Sequence, residues 1–86
     1  MHEQSLMNDL MEKILMLAAK NQAKQVTRVS VFLGALSHMS AEHFQEHFSI
    51  SSKGTIAEKA VLDAFESDDI DDEHANSILL KSIDVV

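Results

Sequence analysis

Apolar residues change their spacing early in this chain, and the change limits the folds open to it. From Gln4 to Asn21, Met7, Leu10, Met11, Ile14, Leu17 and Ala18 recur at three- and four-residue steps. That spacing gathers side chains on one stripe of a helix. From Val26 to Leu33, Val29, Val31 and Leu33 alternate with Arg28, Ser30 and Phe32, the two-residue period of a strand with one apolar face. The chain has 86 residues, so both elements belong to one domain. Ser5 is the expected N-cap of the first helix. Lys20 suits its negative end, and Asn21 acts as a stop. Gly34 ends the strand.

A second helix begins at Ser40, with Glu42 in its first turn, where negative charge is favourable. Phe44 and Phe48 stand four apart and share a face. The helix stops before Lys53-Gly54-Thr55, a turn signal. Residues 56–66 fit a helix and a strand equally well: Ala57 to Phe65 has good helix propensity, and Ile56, Ala60, Val61, Ala64 and Phe65 even lie on one helical stripe. Ser67 to His74 is densely acidic. Ser77 to Val86 reads as a strand, with branched Ile78, Leu79, Leu80, Ile83, Val85 and Val86 around polar Lys81, Ser82 and Asp84. There is no internal repeat.

The sequence contains no cysteine. That excludes a disulfide framework and every thiolate metal site, so any metal is held by nitrogen and oxygen, and no zinc is expected. A short chain without disulfides points to the cytoplasm. The net charge of −7 argues against nucleic acid and anionic membranes as partners, since both need a basic face. No apolar run approaches the roughly 20 residues of a membrane span. Glu3 and Asp9 stand where a signal peptide needs basic residues.

Several short strings occur in a telling order. The chain starts Met1-His2-Glu3-Gln4-Ser5-Leu6 and continues Val26-Thr27-Arg28-Val29, then Leu33-Gly34-Ala35-Leu36-Ser37. Ser40-Ala41-Glu42, Phe48, Gly54-Thr55 and Leu80-Lys81-Ser82-Ile83-Asp84-Val85 follow. Together they resemble the HypA/HybF family of hydrogenase nickel-incorporation proteins over nearly the whole chain. The resemblance implies a strand over 56–66. It thus implies an α+β fold, with two helices packed on a three-stranded sheet in the order α-β-α-β-β. Family members carry a small zinc-binding domain with two C-x-x-C pairs before the last strand. Here residues 67–76, an acidic loop, take its place, and residues 1–86 read as a single nickel-binding-type domain.

The resemblance also implies a site. In the family, the residue matching His2 is the key nickel ligand and the one matching Glu3 assists. The chemistry agrees. Nickel(II) with nitrogen donors favours a square plane. The Met1 α-amino group, with a reference pKa of about 7.7–8.0, yields its proton to a metal near neutral pH. The His2 amide nitrogen and imidazole close two chelate rings. The Glu3 amide, or a group from elsewhere, can supply the fourth donor. Some members place an acidic residue beside the site at the start of the second helix, where this chain has Ser40.

Other features compete less well. His43-Phe44-Gln45-Glu46-His47 spells H-x-x-E-H, a metalloprotease pattern. Two histidines four apart share a helix face and can bind zinc. A third ligand and a substrate cleft are not evident, and Phe44 and Phe48 turn the histidines toward solvent. Asp68, Asp69, Asp71, Asp72 and Glu73 lack the spacing and the glycine of an EF-hand loop, and read as a solvated loop. His38 and His74 read as surface residues, and Met7 and Met11 as packing. No catalytic constellation is found, so an enzyme is not expected.

The expected function is a nickel-binding metallochaperone for nickel-iron hydrogenase maturation, holding Ni(II) at Met1, His2 and Glu3. By resemblance its partners are a nickel-binding GTPase and the hydrogenase large subunit precursor. The alternative is an interaction module of the same fold that has lost metal delivery. The terminal strand is one that two chains can exchange, which sets an expectation of a strand-exchanged homodimer in equilibrium with the monomer.

Overall fold

The computed structural model describes residues 3–86. Its elements are α1 (Glu3–Lys20), β1 (Val26–Leu33), α2 (Ala41–Ser51), β2 (Val61–Glu66) and β3 (Ile78–Val85). This is the expected order, α-β-α-β-β. The sheet runs β2-β1-β3, with β1 parallel to β2 and antiparallel to β3. A parallel neighbour requires a crossover, and α2 supplies it.

Pairing sorts the side chains into two faces. On the inner face Val29, Val31 and Leu33 lie beside Leu62 and Ala64 on one side, and beside Ile83, Leu80 and Ile78 on the other. Strict alternation would put Val26 on the opposite face from these, yet Val26 is fully buried. The reason is a bulge. Val26 pairs with Val85 and Arg28 with Asp84, so Thr27 is an extra residue that resets the parity. A second irregularity lies in β3, where Lys81 is extra between the pairs Ser30–Ser82 and Val31–Leu80.

The helices close the inner face. Met7, Leu10, Met11, Ile14 and Ala18 of α1 join Phe44 and Phe48 of α2 and the β1 valines in one buried cluster. The outer face is mixed. Arg28 stands between Asp63 at 4.0 Å and Asp84 at 3.9 Å, exposed pairs that add little stability. Phe32 stacks on Phe65 with ring centroids 6.0 Å apart.

Three local expectations are corrected. Ser5 is not an N-cap, because α1 already begins at Glu3. The strand expected over 56–66 occupies only Val61–Glu66. Residues 56–60 form turns, with Glu58 N–H donating to Thr55 O and Ala60 N–H to Ala57 O. The Ile56 carbonyl accepts from Val26 N–H at 2.9 Å, and Ala57 is buried, so this stretch seals the lower end of the core instead of extending the sheet. Finally, α1 does not stop through Asn21 alone. Gln22 takes a left-handed φ of 54°. Its N–H donates to Ala19 O, and Ala23 N–H donates to Ala18 O, the two bonds of a Schellman cap.

Gly34 ends β1 for a spatial reason. The connection from β2 to β3 passes directly over it. A Cβ on Gly34 would strike the Ala75 carbonyl oxygen and lie 2.5 Å from the His74 oxygen. That crossing segment is hydrogen-bonded at both ends: Ser67 N–H donates to Leu33 O, and Gly34 N–H donates to Ser77 O.

Candidate metal centre

His38 and His74 lie on two loops at the same end of the sheet, and chain direction explains why. A short loop follows β1 and leads into α2 at Ser40. The other crossing loop, which carries His74, passes over the same end of β1. The start of α1 is brought there as well, since Leu6 lines a cleft with Leu36, His38, Met39 and Ile78. His38 in this cleft has a left-handed φ of 60°, uncommon for a residue with a Cβ.

Ser40 is the N-cap of α2, as expected, and its Oγ accepts the His43 N–H at 3.1 Å. A second cap was not legible. Glu66, the last residue of β2, accepts the Ala41 N–H through Oε2 at 2.8 Å. Both oxygens sit where the helix dipole favours negative charge. Glu66 is 25 residues from Ala41, and no local pattern marks such a partnership.

The two buried phenylalanines fix how α2 is turned. Phe44 and Phe48 are 2% and 1% exposed, which sends His43 and His47 outward. Their Nε2 atoms approach to 2.9 Å, with ring centroids 4.7 Å apart. Among the described residues, no three His, Cys, Asp or Glu side chains converge on one point. The H-x-x-E-H pattern therefore has no third ligand among them.

The acidic loop is folded on itself. Ser67 Oγ accepts Asp69 N–H, Asp69 Oδ1 accepts Asp71 N–H, and Asp72 Oδ1 accepts His74 N–H. These are local turns of the kind Ser and Asp form. Of the residues expected to hold nickel, Glu3 is the first of α1, while Met1 and His2 lie outside the described residues.

The whole is an α+β domain with two helices on one sheet face, and His38 shares a cleft with Leu6 of α1. The family described as "Hydrogenase/urease nickel incorporation, metallochaperone, hypA" matches residues 1–70, and the chain belongs to it. Hydrogenase maturation factor HypA of Archaeoglobus fulgidus is 44% identical over 63 residues, covering 73% of this chain and 57% of the relative. The protein of that name from Aquifex aeolicus is 40% identical over 62 residues, covering 72% and 54%. The chain thus spans about half the length of the curated relatives it matches. The solution structure of the Ni metallochaperone HypA from Helicobacter pylori superposes with a TM-score of 0.79. It covers all of this chain and 98% of that one at 22% identity, a likeness of fold. Among the described residues no helix is long and apolar enough to cross a membrane.

Proposed function

We propose that this chain is a nickel-handling metallochaperone domain that holds Ni(II) as cargo at its N-terminus and passes it on during hydrogenase maturation. The observation that carries the reading is the family match, which runs from residue 1 and takes in Met1-His2-Glu3. Where Met1 is the first residue, its amine, the His2 amide nitrogen and the His2 imidazole make a three-donor chelate suited to a square plane. Such a site at a chain end exchanges its ion more readily than a buried cage. The receiving partners in this reading are a nickel-binding GTPase and, finally, the hydrogenase large subunit precursor. The acidic loop 67–76 stands in place of the family's zinc domain, and the site is cytoplasmic.

Nickel titration of protein with an unmodified N-terminus tests this. The expected product is a diamagnetic one-to-one complex. His2→Ala abolishes the diamagnetic species, and so does a short extension before Met1. Retention of that species in either variant overturns the assignment.

A second reading, an interaction module without metal delivery, draws on Ser40. Its hydroxyl is engaged as a helix cap where some relatives carry an acidic group. Pull-down of the GTPase with and without His2, alongside hydrogenase activity in cells, separates the two. A dispensable His2 favours the interaction module.

A further inference from the structure

We propose that the open edge of β2 takes up an extended, arginine-bearing strand of a partner protein, through main-chain pairing to β2 and stacking of a guanidinium on Phe65. In the sheet order β2-β1-β3 both outer strands have a free side, and an unpaired edge is a template for another strand. The two edges differ. β3 carries the extra residue Lys81 and breaks register with β1, and a bulge and a lysine are two usual guards of an edge. β2 matches β1 without a break from Arg28–Val61 to Leu33–Glu66. Among the described residues, β1 is its one strand partner.

The side chains of β2 define what such a strand carries. On the inner face Leu62 and Ala64 are half-buried against the core, so small apolar residues beside them extend the buried layer. On the outer face stand Val61, Asp63 and Phe65. Phe32 on β1 covers one face of the Phe65 ring, with centroids 6.0 Å apart and planes 26° apart. The other ring face is turned away from β1, toward the open edge, and Phe65 is 63% exposed. An arginine placed beside it stacks its flat guanidinium on that ring face. The next arginine on the same face of the added strand stands beside Asp63, whose carboxylate reaches Arg28 only at 4.0 Å and whose side chain is 65% exposed. Charge selects the occupant. Between Lys59 and Lys81 the chain has seven acidic residues, five of them at 68–73, and no Lys or Arg. A basic strand is attracted to this edge, while a second copy brings the same charges and is repelled. Negative charge thus guards β2 against its own kind and leaves it open to the opposite sign.

The test uses the full chain without nickel, so its outcome is independent of the metal reading above. The probe is a short capped peptide of alternating arginine and valine, with a glutamate-for-arginine counterpart as control. Amide spectra by NMR follow each titration. The arginine peptide is expected to shift the amides of β2 and β1 and to slow hydrogen exchange along β2. The glutamate peptide does neither. Phe65→Leu keeps an apolar side chain on the strand and removes the ring face, which weakens binding of the arginine peptide about threefold. Asp63→Asn weakens it as well, and so does added salt. Circular dichroism checks that both variants keep the fold. Shifts confined to residues 67–76, equal shifts with the glutamate peptide, or unchanged affinity in Phe65→Leu overturn the proposal. A concentration-dependent change at β2 without peptide assigns the edge to a second copy and overturns it too, as does a lack of binding up to the solubility limit of the arginine peptide.

Discussion

Gln22 is a residue in a glycine's place. A left-handed residue after a helix is usually glycine, because a Cβ there crowds the following carbonyl. Gln22 accepts that conformation, at φ 54°, to complete the two bonds of the Schellman cap. Gln22→Gly should raise stability by about 0.5–1 kcal/mol, the left-handed penalty of about 1–2 kcal/mol less the extra chain entropy that glycine loses on folding. A higher urea midpoint with an unchanged slope is the expected readout, and an unchanged midpoint contradicts it. Residue identity alone did not reveal this cap, because glutamine carries no turn signal. Ser5 misled in the opposite way: it is a good capping residue, but one helical residue already lies on the described chain before Gln4. Gly34 was legible as the end of β1, while its cause, the backbone passing over it, depends on a segment forty residues later and lies beyond any local pattern.

At the scale of elements, α1 was readable from its apolar stripe, β1 from the alternation over Arg28–Leu33, and β3 from its branched residues. The bounds of β1 agree with the expectation, Val26–Leu33. The bulges at Thr27 and Lys81 were not readable, since each is defined by what lies opposite on the other strand. Residues 56–66 were ambiguous on their own. Resemblance supplied the strand, and the true strand is shorter because Ala57 turns into the core and the Ile56 carbonyl is taken by Val26 N–H. The start of α2 is held from two directions, by Ser40 and by Glu66. Ser40→Ala should lower stability by about 1 kcal/mol, the usual loss for an N-cap. The loss should appear in the urea midpoint while the distant fold, read by the β1–β3 amide protection pattern, stays native. A variant as stable as the parent would show that Glu66 alone suffices.

For the molecule as a whole, the candidate site was legible only in part. Met1, His2 and Glu3 were singled out by resemblance, and the pairing of His43 with His47 followed from helix spacing. The meeting of Leu6 from α1 with His38 at one end of the sheet follows from topology, because the loop after β1 and the first turns of α1 reach the same cleft. Strand exchange belongs to this scale too. Within one chain β3 pairs with β1 along its length, and a second copy can offer the same ladder in trans. The expected outcome is a concentration-dependent rise in mass by light scattering above that of one chain. A one-chain mass at every concentration, up to the solubility limit, rules exchange out.

The crossing over β1 has a further consequence. Ser67 and Ser77 are tied to the C=O of Leu33 and the N–H of Gly34, which are the two ends of one peptide unit. The outgoing and returning strands therefore flank β1 by one strand spacing each, roughly 10 Å in total. That width is set by the sheet and not by the length of the segment between. The Leu33–Gly34 peptide acts as a socket with two fixed contacts. Whatever is plugged into it, nine residues or a folded module, the wiring of the three strands is the same.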